Sequence, residues 1–82
     1  MPKFFAYLAR CSDNSLYAGY AVDLKKREEV HNDGKGAVYT RMRRPVKIVY
    51  FEEFDTKSEA MKREYGLKCL KKCEKEKLVL FS

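Results

Sequence analysis

The first twenty residues constrain the fold most. KFFAYLARC is aromatic and apolar, breaks at the polar cluster Ser12, Asp13, Asn14, Ser15, and resumes as LYAGY. Two such runs around a short polar break predict a β-hairpin, with one strand over about 3–11 and the other over about 15–20. Loop length then decides which side chains share a face. Tyr7 and Tyr17 do so only with an odd loop, such as Ser12 to Asn14, and a three-residue loop sets Tyr7 opposite Gly19 and Tyr17 opposite Ala9. The two rings then lie diagonally over small residues, leaving a shallow floor for something else to occupy. The alternative is two strand tyrosines that pack their rings and wet their hydroxyls.

VKIVYFEEF is the clearest strand, with Val46, Ile48 and Tyr50 alternating onto one face and Lys47, Val49 and Phe51 onto the other. Between hairpin and strand, Asp23 caps a short helix containing Leu24, Arg27, Val30 and His31, which stops at Asn32, Asp33 and Gly34. NDGKGAVYTRMRRP follows as a loop with two glycines and Pro45 as its breaker. Thr56, Lys57, Ser58, Glu59 form a capping box that starts a second helix through AMKREYGLKCLKK, weakened at Gly66 by roughly 1 kcal/mol relative to Ala. The tail CEKEKLVLFS either continues that helix or starts another after a turn near Lys72, and its apolar end, Leu78 to Phe81, packs back onto the sheet. The resulting order is β-β-α-β-α with room for an extra C-terminal helix, an α+β domain spanning 1–82.

With 82 residues there is room for one core, near the small end of what folds alone. Its net stabilisation is not expected to exceed ~5 kcal/mol. A hydrophobic share of 45% and an aromatic share of 13% exclude a disordered chain. No window approaches a membrane span, and MPKFFAYLAR is too short in apolar residues for a signal peptide. Cys11, Cys69 and Cys73, an odd number without secretory context, predict reduced thiols and a cytoplasmic location. Two cysteines at i, i+4 do not make a structural zinc site, so Cys69 and Cys73 are expected on a half-buried helix stripe.

Eighteen Lys and Arg against twelve Asp and Glu leave a net charge of +6, which makes polyanions, and nucleic acid first among them, the leading partner class. Clustering supports this. Tyr39 and Thr40 stand among Arg41, Arg43, Arg44 and Lys47, and basic groups with an interleaved ring can follow a phosphate backbone while the ring stacks on a splayed base. The run Lys68, Lys71, Lys72, Lys75, Lys77 is interrupted by Glu74 and Glu76 and is expected as a solvated helix face.

Two further features could carry chemistry. Glu64 has Ala60, Met61 and Leu67 at i−4, i−3 and i+3, which places a carboxylate on an apolar stripe. It is either a rim residue paired with Lys68 at i+4 or a hard-metal ligand or acid/base group. Arg27 and His31, also i, i+4, present a fixed cation and a group that titrates near neutrality to one point, which suits a phosphodiester. The alternative is an exposed histidine on a charged helix.

Together these segments resemble the GIY-YIG nuclease domain, as a small stand-alone bacterial-type member. FAY at 5–7 and YAG at 17–19 stand where the family's two triplets fall, and DLKKREEVHN, KGAVYTRMRRPVKIVY and SEAMKREYGLK extend the likeness from Phe4 to about Leu70. The resemblance implies a three-stranded antiparallel sheet flanked by helices, and hydrolysis of DNA phosphodiesters with one divalent ion, Mg2+ or Mn2+. It implies Glu64 as metal ligand, Tyr7 and Tyr17 as the motif tyrosines, Arg27 on the scissile phosphate and His31 assisting the attacking side. A phenol with a reference pKa of about 10 is a poor base near neutrality, so a nearby cation or metal-bound water must help whichever tyrosine serves, with Tyr7 the favoured one. Tyr20, Ala21 and Val22 replace the family's usual small or hydroxylated residues after the second triplet. The asparagine of some members has no counterpart in LVLF. Without an attached recognition domain, tight sequence readout is not expected. Two other functions compete: a non-catalytic nucleic-acid-binding module on the same fold, and a protein-interaction domain using the apolar tail.

Overall fold

A computed structural model describes residues 3–81. Strands β1 (Phe4–Arg10) and β2 (Leu16–Ala21) form the expected hairpin, one residue shorter or shifted at their ends, with Tyr7 opposite Gly19 and Ala9 opposite Tyr17. The loop closes where Asn14 N donates to the Cys11 carbonyl at 2.9 Å, and Asn14 itself sits at φ 71°. A three-residue hairpin loop needs a left-handed residue at that point, and Asn tolerates it. Strand β3 (Lys47–Phe54) pairs antiparallel with the other edge of β1, giving a three-stranded sheet in the order β2-β1-β3. The fold is the α+β class expected.

The simple alternation expected along VKIVYFEEF fails at one point. The register slips between Leu8 and Ala9, where Tyr50 faces Leu8 but Ile48 faces Ala9, so Val49 is an extra residue on β3. A bulge resets side-chain parity. Val46 and Ile48 therefore pack with Tyr7, Ala9, Cys11 and Ala21 on one face of the sheet, whereas Val49, Tyr50 and Phe54 pack with Ala6, Leu8, Leu16, Ala18 and Leu67 on the other.

Helix α1 (Leu24–Asn32) starts at Asp23, whose carboxylate accepts from Lys26 N at 3.0 Å. Its position over the sheet is set by polar bonds to the edge strand. Glu28 accepts from Ile48 N at 2.8 Å, and the Asn32 side chain accepts from Val46 N at 2.6 Å while donating to the Val46 carbonyl at 2.9 Å. Because β3 lies at the sheet edge, its outward backbone groups require such partners, and α1 supplies them. Pro45 precedes β3 through a cis peptide.

A one-turn helix, α2 (Val38–Arg41), stands where the sequence predicts loop. Four residues are too few for helical periodicity to register. Helix α3 (Lys57–Lys68) begins at the expected N-cap, Thr56, whose Oγ1 accepts from Glu59 N at 3.2 Å. The Glu59 carboxylate, however, accepts from the Thr56 hydroxyl at 2.9 Å and not from its backbone N–H, so the reciprocal half of the expected capping box is replaced. It ends earlier than predicted, and α4 (Lys72–Leu80) starts afresh after Lys71 N donates to the Glu74 carboxylate at 2.9 Å. The break puts Cys69 at the end of α3 and Cys73 on α4, both exposed, so the expected half-buried stripe does not exist. Cys11 is the buried thiol. Of the tail, Leu78 and Val79 pack on the core, but Leu80 and Phe81 are exposed. Arg10 anchors α4 to β1 through two bonds to Glu76, at 2.5 and 2.7 Å.

Candidate active site

Tyr7 is the centre of the polar side of the sheet. Its ring crosses above Gly19, where a Cβ would overlap the ring's Cζ and hydroxyl oxygen, so a glycine at that register position is what lets the phenol pass. The side chain is 1% exposed, and its hydroxyl lies 2.7 Å from His31 Nε2. The other imidazole nitrogen, Nδ1, lies 2.8 Å from Thr40 Oγ1, whose hydroxyl donates to the Ala37 carbonyl at 2.9 Å. His31 and Thr40 are both fully buried, and the backbone at Gly36 is pressed against the imidazole so closely that a Cβ there would overlap Nδ1.

Two sequence expectations are corrected by this arrangement. His31 is not an exposed group sharing a surface point with Arg27, because α1 turns it inward onto the sheet. Nor do the hairpin tyrosines leave a vacant floor, since Tyr7 covers Gly19 with its own ring and the imidazole fills the space beyond. The ring of Tyr17 meets His31 edge-on at 5.5 Å between centroids.

Burial pushes the Tyr7 phenol strongly upward, helped by Tyr17 and Glu64 and opposed by Arg27. Burial also lowers His31, with the Arg27 cation adding to the effect. The pair is therefore neutral near pH 7. Residues of β1, β2, α1 and α2 thus meet at the His31 imidazole: Tyr7 and Thr40 through hydrogen bonds and Tyr17 through its ring.

Glu64 is partly buried, its side chain 18% exposed, with Lys68 Nζ 3.1 Å from one carboxylate oxygen. The ion pair foreseen as its alternative role is thus formed. Among the described residues, no group of three or more His, Cys, Asp or Glu is placed to hold a metal ion. What Glu64 offers a hard cation is a single carboxylate, which suits an ion that keeps most of its waters and takes further oxygens from a bound phosphate. Lys68 would have to yield or share that carboxylate.

The five residues expected to bind nucleic acid divide into two groups. Tyr39 stacks on Tyr17, with centroids 5.9 Å apart and planes inclined at 24°, and the Arg43 guanidinium sits 3.9 Å from the Tyr39 centroid. Arg43 also bonds to Asp13 and to the Tyr39 carbonyl, both at 2.9 Å, and Arg44 donates to the carbonyls of Arg41 and Asn32. These two arginines hold loops together. Arg41 and Lys47 stand exposed at the end of α2 and the start of β3. Beside the Tyr17–Tyr39 stack opens a cavity of about 210 Å³, with Leu16 and Ala18 as its floor and Lys68 and Lys75 on its rim.

Sequence reasoning missed the part played by Thr40. It lies inside a run dominated by arginines, and nothing in its spacing from His31 distinguishes a buried hydrogen-bond partner from a loop hydroxyl. The one available signal was Gly36, a second glycine close behind Gly34 in a segment that must pass near something.

Comparison with known proteins bears on the family and the fold. The family model described as the GIY-YIG catalytic domain matches residues 3–77. A UPF0213 protein of Staphylococcus saprophyticus is 54% identical over 79 residues, 96% of each chain, and one of Staphylococcus aureus is 52% identical over the same span. Among solved structures, the solution structure of the UPF0213 protein from Bacillus halodurans superposes with a TM-score of 0.61 at 41% identity, covering 98% of this chain and 85% of that one. A protein from E. faecalis gives the same TM-score at 40% identity, covering 94% of this chain and 82% of its own.

Proposed function

The chain belongs to the GIY-YIG catalytic-domain family, a nuclease family, and on that footing we propose that it is a divalent-metal-dependent endonuclease hydrolysing DNA phosphodiesters, structure-selective or only weakly sequence-selective. The observation that carries this reading is the buried hydrogen bond of the Tyr7 hydroxyl to the sole histidine, His31, at 2.7 Å, with the Tyr17 ring packed edge-on against the same imidazole.

Tyr7 is the general base. A phenol held this far above neutrality cannot lose its proton unaided, but the imidazole 2.7 Å away is neutral and can take that proton as the phenol oxygen accepts one from the attacking water. Tyr17, half-buried beside the cavity, positions the water or phosphate. Arg27 neutralises the scissile phosphate through its planar fork. Glu64 would hold one Mg2+ or Mn2+, which would supply charge stabilisation to the phosphoryl oxygens. Arg41 and Lys47 steer the backbone. Arg43, Arg44 and Tyr39 keep the binding surface in shape, and the adjacent cavity offers a stacking wall and two ammonium groups to a nucleotide flanking the cut.

The Glu64–Lys68 ion pair favours a second reading, a nucleic-acid-binding module without turnover. Labelled single-stranded, duplex and branched DNA, incubated with Mg2+ or Mn2+ and with chelator, separates the two. Cleavage abolished by chelator supports the endonuclease, and binding without cleavage supports the module.

A further inference from the structure

We propose that Thr40 is the positioning residue of the Tyr7–His31 pair, its hydroxyl holding the imidazole as the Nδ1–H tautomer so that Nε2 stays bare toward the phenol. The catalytic consequence rests on the endonuclease reading above, whereas the tautomer itself does not.

The protons in the chain can be counted. Three hydroxyl or ring N–H protons serve the contacts Tyr7–His31, His31–Thr40 and Thr40–Ala37. The Ala37 carbonyl can only accept. If Thr40 donates to it, Thr40 Oγ1 must accept from Nδ1–H, and Nε2 must accept from the Tyr7 hydroxyl. Every buried proton then has an acceptor. In the opposite arrangement Thr40 donates to Nδ1 and Nε2–H donates to Tyr7, which leaves the phenolic proton without an acceptor among the contacts described for this 1% exposed side chain. Buried polar groups left unpaired are disfavoured strongly enough to decide between the two.

The surroundings make Thr40 hard to replace. Gly36 closes the Nδ1 edge of the ring, and the Ala37 carbonyl lies three residues before Thr40 at the N-cap of α2, so the hydroxyl is aimed by α2 itself. The charged and titratable groups acting on the pair are Arg27 from α1, Tyr17 from β2 and Glu64 from α3. None of them bonds to Nδ1 in place of Thr40 among the described contacts. For metal-bound imidazoles, loss of the group that fixes the orienting nitrogen costs about 10- to 100-fold, and an effect of that order is expected here.

The proton step balances through this chain. One proton leaves water for the Tyr7 oxygen while the Tyr7 proton moves to Nε2, giving a neutral phenol and an imidazolium. The water oxygen forms the new bond to phosphorus, and the bond to the leaving oxygen breaks with its electron pair, which solvent protonates. The imidazolium later returns its proton from Nε2 to the Tyr7 oxygen as the phenol releases one to a water that replaces the product. The Nε2–H tautomer has no lone pair to receive it.

His31 is the sole histidine of the chain, so long-range ¹H–¹⁵N spectra of the imidazole are unambiguous. The parent at pH 7.5, recorded without DNA or metal, is expected to show a pyrrole-like Nδ1 and a pyridine-like Nε2. Thr40→Val, nearly isosteric, is expected to lose that pattern and drop kcat by about 10- to 100-fold with KM little changed. Thr40→Ser is expected to restore both, and a thermal melt of each variant checks folding. An Nε2–H tautomer in the parent overturns the proposal whatever the variants do. So does an unaltered Nδ1–H pattern in folded Thr40→Val. Should the parent prove to cut no DNA, the spectra still decide the tautomer, and only the endonuclease reading falls.

Discussion

The two faces of the same three strands are built on opposite rules. Toward α3 and α4 the sheet presents Ala6, Leu8, Leu16 and Ala18 against Leu67, an apolar layer that asks only for volume. Toward α1 and α2 it presents Tyr7 and Tyr17 against His31 and Thr40, with Gly19 and Gly36 cut back to admit them. The apolar face holds the molecule together and its cost of damage is paid in stability. On the polar face the buried groups are bonded in series from Tyr7 through His31 and Thr40 to the Ala37 carbonyl, so damage should appear first in chemistry.

The largest contrast comes from two residues on the same helix, three positions apart. Glu64→Gln keeps the side-chain shape and removes the anion, and should abolish metal-dependent cleavage. Its melting should be close to the parent's, because the Lys68 ammonium it releases is half exposed and returns to water, and DNA affinity in chelator should stay level or rise slightly. Leu67→Ala should destabilise by about 2–5 kcal/mol, while the molecules still folded cut normally. Cleavage assays and denaturant melts on the same preparations check both. Normal cutting by folded Glu64→Gln would remove the metal role and leave Glu64 as a rim residue.

A smaller effect tests how tightly the polar face is fitted. At Gly19 an added Cβ meets a rigid aromatic ring, not the end of a flexible chain, so Gly19→Ala must displace Tyr7. Overpacking of this kind costs about 1–3 kcal/mol. The rate should fall further than the stability loss accounts for, since the Tyr7–His31 bond is lengthened or lost. Retention of the parent rate would show that the bond is dispensable.

Acid and alkali should find the polar face before the apolar one. His31 is lowered from 6.5 by burial and Arg27, so below about pH 6.5 the unfolded chain takes up a proton that the folded one resists, and stability falls with falling pH. Tyr7 is raised from 10.0, so above about pH 10 the unfolded chain loses a proton that the folded one keeps, and stability falls with rising pH. His31→Gln should flatten the acid limb and Tyr7→Phe the alkaline one in melts across pH. If neither limb moves, the pair does not titrate differently on folding.

How far the sequence announced these faces follows from the kind of signal each leaves. The apolar layer is periodic and local, so the hairpin register, the third strand and the helix start at Thr56 could all be read. Parity after Val49 could not, because a bulge depends on the partner strand. The α3–α4 break depended on the Glu74 carboxylate reaching the Lys71 amide, a contact invisible to periodicity. Arg27, His31, Glu64 and both tyrosines were singled out by residue type and by family likeness, but their burial was not. Thr40 was passed over because its importance lies in one hydrogen bond made across a loop.

The smallest effects should come from the exposed basic groups, and they separate steering from structure. Arg41 and Lys47 are exposed, whereas Arg43 is committed to Asp13, to the Tyr39 carbonyl and to the Tyr39 ring. A cation that meets phosphate releases counterions, so removing it should lower the salt slope of DNA affinity by up to ~0.9 log units per contact. Arg41→Ala and Lys47→Ala should therefore weaken binding similarly for all sequences, flatten the slope and leave melting and kcat unchanged. Arg43→Ala should instead disturb the Tyr17–Tyr39 stack and lower stability, with a smaller change in slope than Arg41→Ala. Affinity measured at several salt concentrations, alongside melts, distinguishes them. A full slope change for Arg43→Ala with unchanged melting would mean that DNA draws this guanidinium away from Asp13, and that the polar face is remodelled on binding.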